Sequence, residues 1–313
     1  MSRPEFRTAG VIGTGMMGPG IAGTLALGGV AATILSRSEE GATAGLAAAR
    51  RQIALLRENG LVASERADRA LERLSASVAF DDVVQSADLV IESAPENLEF
   101  KQNLFARMDS IARPDCVLAS NTSGLSITAI ASRCSGPERV LTTHFWNPPH
   151  LMPLVEIVKG ERTSGQVAAG VFDLLAACGK TPVVVKRDTP GQLGNRLQMA
   201  LVREAVHIVA EGIADARDVD VAAKNGFGLR LPVYGILEHM DMVGLDMACS
   251  ITDYVAQDLY NQPRAPQLFR DLVARGELGV KSGRGFYDWS SRSAEELKAL
   301  RDRFVLDFLQ RWK

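Results

Sequence analysis

The sequence predicts an α/β protein with a Rossmann-like N-terminal domain, built on a mainly parallel sheet, and an all-helical C-terminal domain. Short apolar runs alternate with helical stretches up to residue 185, which is the pattern of parallel strands joined by crossover helices. After Asp188 the strand pattern stops, and apolar residues recur at helical spacing. A chain of 313 residues is long enough for two cores. We therefore expect one domain over residues 1–187 and a second, helical domain over 188–313.

The N-terminal region begins with a strand over 8–12, a glycine turn and a helix over 16–27. Seven further strands are predicted at 31–35, 77–80, 88–92, 116–120, 140–144, 154–158 and 181–185, with a helix over 164–178 before the last. An arginine-rich stretch over 39–74 predicts a helical hairpin, broken near Asn59 and Gly60. Its arginines form either a solvated helix face or a phosphate-binding surface. Near the end of the chain, a helix over 293–313 carries an apolar stripe that we expect to pack in a core or dimer (Leu297, Leu300, Phe304, Phe308, Leu309).

Composition limits the class of partner. The chain has 35 basic and 37 acidic residues and a formal net charge of −2, which gives no long-range attraction for nucleic acid or an anionic membrane. We therefore expect a small-molecule partner. The four cysteines lack CxxC spacing, which predicts no metal site and no disulfide framework and fits a reducing cytoplasm. The first residues, MSRPEFRT, lead into an apolar run that is too short for an export signal or a membrane span.

Residues 13–18, GTGMMG, fit the pattern GxGxxG between a predicted strand and helix. Gly13 would allow the tight turn, Gly15 would let the backbone approach a pyrophosphate, and Gly18 would let the helix pack closely on the strand. The phosphates would then lie at the helix N-terminus, beside Met16 and Met17. The motif predicts a dinucleotide site in the first domain.

The end of the second strand bears on the choice between NAD and NADP. An NAD site usually has a carboxylate there for the ribose 2′-hydroxyl, but this strand ends in Ser36 and Arg37. A guanidinium can hold a 2′-phosphate with two hydrogen bonds, which favours NADP. In the alternative, Arg37 stacks on adenine or faces solvent while Glu39 or Glu40 reaches the ribose.

Two strands that follow are expected to end in reactive groups. Asn121 comes directly after the fifth strand, at the carboxyl edge where ligands of open α/β sheets bind. His144 ends the next strand, and Glu156 lies twelve residues on in an apolar run. A proline turn between the two strands could bring Glu156 beside His144, where it would fix the tautomer and stabilise the imidazolium. The pattern predicts a base that removes a hydroxyl proton during hydride transfer, or else a buried hydrogen bond without catalysis.

Together these residues make the sequence resemble the 3-hydroxyacyl-CoA dehydrogenases along essentially its whole length. The motifs that carry the resemblance are the glycine turn, the hairpin, Glu96-Asn97-Leu98 with Lys101, Ser120-Asn121-Thr122-Ser123, His144 with Asn147-Pro148, Leu154-Val155-Glu156, Asp188-Thr189-Pro190-Gly191 with Asn195-Arg196, and Lys281-Ser282-Gly283-Arg284-Gly285-Phe286-Tyr287. The resemblance implies an NAD(P)-dependent oxidoreductase whose second domain forms a homodimer and helps bind substrate. It further implies roles for six residues: His144 as acid and base, Glu156 as its partner, Ser123 and Asn195 near the substrate oxygen, and Glu96 and Lys101 near the nicotinamide.

Departures from the family motifs leave two substrate classes open. A 3-hydroxyacyl-CoA or 3-hydroxy acid is the first expectation. However, the chain has Gly124 where the acyl-CoA enzymes usually carry a second serine, and Pro149 and His150 look closer to relatives that act on small acids without CoA. Those relatives are the lambda-crystallin or gulonate, carnitine and pyridine-carboxylate dehydrogenases. Arg230 could bind a substrate carboxylate, or it could be solvated or structural. A remote alternative is a crystallin-like or cofactor-sensing protein without catalysis.

Overall fold

The computed structural model describes residues 5–311 and contains one eight-stranded sheet. The strands are β1 (Thr8–Ile12), β2 (Ala31–Leu35), β3 (Leu74–Ser77), β4 (Leu89–Glu92), β5 (Val117–Ser120), β6 (Val140–Phe145), β7 (Leu154–Lys159) and β8 (Thr181–Val185). They lie in the order β3-β2-β1-β4-β5-β6-β7-β8, and every neighbouring pair is parallel except β6 with β7. The predicted fold class, a mainly parallel sheet followed by helices, is confirmed.

Helices connect the strands and form the rest of the chain. Those in the sheet region are α1 (Gly18–Leu27), α2 (Glu39–Glu58), α3 (Ser64–Glu72), α4 (Phe80–Ser86), α5 (Leu98–Ile111), α6 (Ile127–Ile130) and α7 (Gly165–Ala177). Those that follow are α8 (Gly194–Ala210), α9 (Ala216–Asn225), α10 (Phe227–Arg230), α11 (Ile236–Val243), α12 (Leu245–Val255), α13 (Gln267–Ala274) and α14 (Ala294–Arg311). The hairpin predicted over 39–74 is present as α2 and α3.

The prediction for the third strand was wrong by three residues. The sequence predicts it at 77–80, whereas β3 ends at Ser77 and Phe80 begins α4. Leu74 supplies the buried side chain of β3 and pairs with Ala32 of β2. The apolar run around Phe80 resembles a strand, but the acidic residues that follow it lie in the first turn of α4, where they interact favourably with the helix dipole.

The sheet is buried on both faces. Leu89 and Ile91 of β4 belong to one apolar cluster, and Val90 between them belongs to another. Side chains alternate between the faces of a strand, so each face has its own apolar layer. This burial fixes the strands, and with them the side chains at their carboxyl ends.

The chain divides into two compact units. The first comprises residues up to Asn195 together with those from Leu300 onward, and the second comprises 196–299 and is helical. Leu306 of α14 is buried with Leu56 and Leu151 of the first unit, although the sequence placed this segment in the second domain. The boundary expected at residue 188 separates a nucleotide-binding domain from a substrate-binding domain. The compact units do not test that functional division, so it stays a prediction.

The apolar stripe predicted for the last helix is only partly buried within the single chain. Leu300 and Phe304 are exposed, Phe308 and Leu309 are half-buried, and the fully buried residue of α14 is Leu306. Packing of the exposed part of the stripe in a dimer stays a prediction. Among residues 5–311, no helix combines the length and apolar character needed to cross a membrane.

Candidate functional site

The glycine turn after β1 has the geometry of a phosphate cradle. Gly13 has a φ of +114°, and a Cβ there would lie 2.5 Å from the Ser93 carbonyl oxygen. A Cβ at Gly18 would collide with the Gly13 carbonyl oxygen, so the start of α1 packs directly on the turn. A Cβ at Gly15 would meet no heavy atom within 4 Å, which leaves open space beside the backbone. The turn therefore fits a dinucleotide pyrophosphate. Met17 occupies the N-cap position of α1 without a side-chain capping hydrogen bond, and Met16 is largely exposed.

Both candidate groups for the adenosine ribose lie where β2 ends. The Ser36 hydroxyl accepts a hydrogen bond from the Ser38 backbone N–H, at 3.3 Å. Arg37 is exposed and makes no hydrogen bond or ion pair with any other residue in the described part of the chain. Glu39 and Glu40 are exposed in the first turn of α2. The strand end thus presents one unengaged guanidinium and two carboxylates.

A buried ion pair holds the loop after β4. Lys101 Nζ lies 2.5 Å from Glu92 Oε1, and both side chains are almost completely buried. The second oxygen of Glu92 accepts a hydrogen bond from the Ser120 hydroxyl at 2.7 Å, so this buried charge is paired and hydrogen-bonded. Lys101 also lies 3.6 Å from Glu96, which is partly exposed. The pair fixes Glu96 at the carboxyl edge of the sheet.

The polar residues after β5 form one network with Glu96. The Thr122 hydroxyl and the Ser123 backbone N–H both donate to Glu96 Oε1. Asn195 Nδ2 donates to the Ser123 carbonyl oxygen at 2.8 Å. Asn121 Oδ1 accepts from the backbone N–H of Phe145, at the end of β6, at 2.8 Å. Three of the site residues suggested by sequence, Ser123, Glu96 and Asn195, are therefore brought together.

His144 and Glu156 lie directly opposite each other in the antiparallel pair of β6 and β7. His144 Nδ1 is 2.8 Å from Glu156 Oε2, and the two side chains are 6% and 0% exposed. Cross-strand neighbours in such a pair have their side chains on one face of the sheet, so the register creates the contact. The pairing expected from the sequence is present.

Glu156 accepts four hydrogen bonds. Oε2 accepts from His144 and from the Trp146 indole N–H at 3.0 Å, and Oε1 accepts from the backbone N–H groups of Leu193 and Gly194 at 2.9 and 2.8 Å. Burial alone would raise the pKa of Glu156, but the hydrogen bonds from His144, Gly194, Trp146 and Leu193 outweigh it and lower the pKa to about 2. Glu156 is thus a carboxylate at neutral pH.

The ionised partner determines which nitrogen of His144 can react. A carboxylate only accepts hydrogen bonds, so Nδ1 of His144 carries the hydrogen that lies against Glu156. In the neutral ring, the lone pair is then on Nε2. That nitrogen can take a proton from a hydroxyl group, and Glu156 stabilises the imidazolium that results.

Arg230 is the one predicted site residue in the second unit. It lies in α10, with its guanidinium 5.9 Å from the centroid of the Tyr234 ring.

The sequence analysis did not identify Glu92 and Trp146 as site residues. Glu92 is a lone carboxylate that ends an apolar strand, which is the same signal that identified Glu156. Within residues 5–311, no cluster of three or more His, Cys, Asp or Glu side chains is arranged to hold a metal ion.

Comparisons with known proteins agree along the chain. The NAD binding domain of 3-hydroxyacyl-CoA dehydrogenase matches residues 8–189, and the C-terminal domain of that family matches 191–289. The 5-formyl-3-hydroxy-2-methylpyridine 4-carboxylate 5-dehydrogenase of Mesorhizobium japonicum is 35% identical over 301 residues, which are 95% of this chain and 96% of that protein. The probable 3-hydroxybutyryl-CoA dehydrogenase of Bacillus subtilis is 37% identical over 291 residues, which are 93% of this chain and 100% of that protein.

Solved structures give the same grouping. The crystal structure of 5-formyl-3-hydroxy-2-methylpyridine 4-carboxylic acid 5-dehydrogenase, described as an NAD+-dependent dismutase, has a TM-score of 0.90 at 32% identity and covers 98% of this chain and 99% of its own. A 3-hydroxybutyryl-CoA dehydrogenase from Ralstonia eutropha has a TM-score of 0.76 at 33% identity, over 91% of this chain and 99% of its own. With both family domains matched and the relatives aligned over nearly their full lengths, this chain belongs to the 3-hydroxyacyl-CoA dehydrogenase family and is a nicotinamide-dependent dehydrogenase acting on a CH–OH group.

Proposed function

We propose that His144 is the acid and base of this dehydrogenase and that Glu156 is its electrostatic partner. The observation that carries the proposal is the 2.8 Å contact between His144 Nδ1 and a buried carboxylate that accepts four hydrogen bonds. A nicotinamide cofactor held at the turn of Gly13, Gly15 and Gly18 would supply the hydride acceptor for oxidation. The hydroxyl proton goes to Nε2 of His144, and in reduction the same nitrogen returns it to the carbonyl oxygen.

The polar network beside the dyad supports roles for the other residues. We propose that Ser123 and Asn195 hydrogen-bond the substrate oxygen, because Asn195 is already held against the Ser123 backbone. Glu96, Lys101 and Asn121 would line the nicotinamide side of the site. Their support is their position after β4 and β5, at the carboxyl ends of the strands.

For the substrate, we propose a small carboxylated hydroxy or oxo compound that carries no CoA. Two observations favour it: the TM-score of 0.90 to a dehydrogenase of a pyridine carboxylate, and Gly124, which stands where the acyl-CoA enzymes usually carry a second serine. Arg230 would supply the cation for the carboxylate. A 3-hydroxyacyl-CoA is the second candidate, favoured by the identity to the probable 3-hydroxybutyryl-CoA dehydrogenase of Bacillus subtilis.

A two-part assay tests the substrate proposal. Purified protein would first be shown to bind a reduced cofactor by thermal shift, and it would then be offered acetoacetyl-CoA and a panel of oxo acids and formylpyridine carboxylates. The proposal predicts cofactor oxidation with the carboxylates and a sharply raised KM for them in Arg230→Ala. Turnover of acetoacetyl-CoA alone would replace it by the second candidate.

For the cofactor, we propose a preference for NADP over NAD. The support is the exposed, unengaged guanidinium of Arg37 beside Ser36 at the end of β2, although Glu39 and Glu40 are exposed close by and the pyridine-carboxylate relative is described as NAD+-dependent. NADPH should stabilise the protein more than NADH in a thermal shift, and Arg37→Met should remove the difference. Greater stabilisation of the parent by NADH would contradict the proposal.

For assembly, we propose a homodimer formed through the second unit, in the cytoplasm. That unit exposes large apolar side chains that are each 64 to 81% accessible in the single chain (Leu229, Val233, Leu237, Met242, Leu245 and Tyr254). Monomeric proteins rarely leave so much apolar surface in contact with water. Light scattering after size exclusion should give twice the chain mass, and a monomer at micromolar concentration would contradict the proposal.

A further inference from the structure

Two hydrogen-bond donors converge on one oxygen of the dyad. Trp146 follows the last residue of β6, and its indole N–H lies 3.0 Å from Glu156 Oε2. His144 Nδ1 lies 2.8 Å from the same oxygen. The rings of Trp146 and His144 have centroids 5.7 Å apart and are tilted by 48°, so they reach the oxygen from two directions rather than stacking.

The indole is held in place by the start of α8. A Cβ on Gly194 would lie 2.5 Å from Cζ2 of Trp146, so the indole packs against a position that only glycine leaves free. The same glycine donates its N–H to Glu156 Oε1. Trp146 and Gly194 therefore fix both oxygens of the carboxylate and orient Oε2 toward His144.

A shared acceptor changes the strength of each bond to it. The indole N–H places a partial positive charge beside Oε2, which reduces the negative potential that Glu156 exerts on the imidazole. Glu156 faces His144 from β7, the backbone N–H groups of Leu193 and Gly194 face Glu156, and no other charged side chain among residues 5–311 forms an ion pair or hydrogen bond with either group. Because an indole N–H does not titrate in the physiological range, this effect is present at every working pH.

We propose that Trp146 is a positioning residue that aligns Glu156 and, by sharing the acceptor Oε2, weakens the hydrogen bond between Glu156 and His144. The proposal rests on the proposed role of His144 and Glu156. Its consequence is a difference between two proteins: with phenylalanine at 146, Oε2 has one donor fewer and binds the protonated ring of His144 more tightly than in the parent.

The first test is a pH titration of the His144 Cε1–H resonance by NMR, in the parent, Trp146→Phe and the control Trp289→Phe. The resonance is assigned by its loss in His144→Asn. Trp146→Phe should move the midpoint upward by about half a pH unit, and the acidic limb of the kcat/KM profile for oxidation should follow. One unit below the parental limb, the activity should then fall about threefold further. Trp289→Phe, in the second unit, should leave both curves unchanged.

A second measurement keeps the proposal testable if Trp146→Phe does not fold. In the parent, the Trp146 indole N–H resonance should shift with pH and show the same midpoint as His144, since both bonds end on Oε2. An indole resonance that stays constant through the His144 titration, or an unchanged midpoint in folded Trp146→Phe, would overturn the proposal. These titrations need no substrate. Failure of the proposed function would instead appear as bound cofactor with no turnover of any substrate.

Discussion

Replacing Gly15 with alanine should separate cofactor binding from folding. An added Cβ at this position meets no heavy atom within 4 Å, so the free protein should fold with an unchanged melting temperature. The same methyl group would occupy the space beside the backbone that a pyrophosphate needs. The substitution should therefore weaken NAD(P) binding while leaving the fold intact.

The size of the effect follows from linkage. At a cofactor concentration 100 times the dissociation constant, binding stabilises the parent by about 2.7 kcal/mol, and a hundredfold loss of affinity reduces this to about 0.4 kcal/mol. For a chain of this length, a change of about 1 kcal/mol in the free energy of unfolding shifts Tm by roughly 2 °C. The cofactor-induced rise in Tm should thus fall from about 5 °C to about 1 °C.

Differential scanning fluorimetry with and without cofactor provides the assay. Gly165→Ala is a matched control, since a Cβ there also meets nothing within 4 Å and the position lies at the start of α7. It should retain the full cofactor-induced rise. A Gly15→Ala protein with the parental rise would refute the assignment of the glycine turn to the pyrophosphate.

Three further substitutions test other parts of the structure. Glu156→Gln should lower kcat about 100-fold or more, because an amide cannot accept all four hydrogen bonds or stabilise an imidazolium; a change under fivefold would contradict this. Burial, assisted by Lys180, lowers the pKa of His150 from 6.5 to about 4, so the unfolded chain binds the extra proton between those values. Stability in urea should fall by about 2 kcal/mol more from pH 7.5 to 5 in the parent than in His150→Asn, and equal losses would disprove it. Arg139→Met should lower the free energy of unfolding by about 3 to 5 kcal/mol, because it leaves the buried Asp109 without its cationic partner. Arg69→Met removes an exposed ion pair and should lower it by under about 1 kcal/mol.

Much of the site could be predicted from the sequence because its signals are local. His144 ends one apolar run and Glu156 interrupts the next, and a short proline-containing connection favours their pairing across adjacent strands. Gly13 and Gly18 are visible as a motif between a strand and a helix. Glu92 gives the same local signal as Glu156, but its partner Lys101 reaches it from the first turns of α5, which periodicity alone does not reveal.

The remaining features depend on tertiary geometry. The third strand shifted because tertiary pairing of Leu74 with Ala32 outweighed the apolar run around Phe80. Nothing in the sequence states that the start of α8 passes over Glu156 or that the Trp146 indole points at the same oxygen. The first of these contacts joins residues 38 apart in the chain, and both become visible only once β7 and α8 are placed.

The central claim is that His144 transfers the proton while the nicotinamide transfers the hydride. The most direct test is kcat of His144→Asn against the parent on the substrate found in the panel, with cofactor binding measured on both proteins by thermal shift. The claim predicts a loss of about 100-fold to 10,000-fold in kcat with an undiminished cofactor-induced rise in Tm. A variant that binds cofactor normally and turns over within threefold of the parent would contradict it.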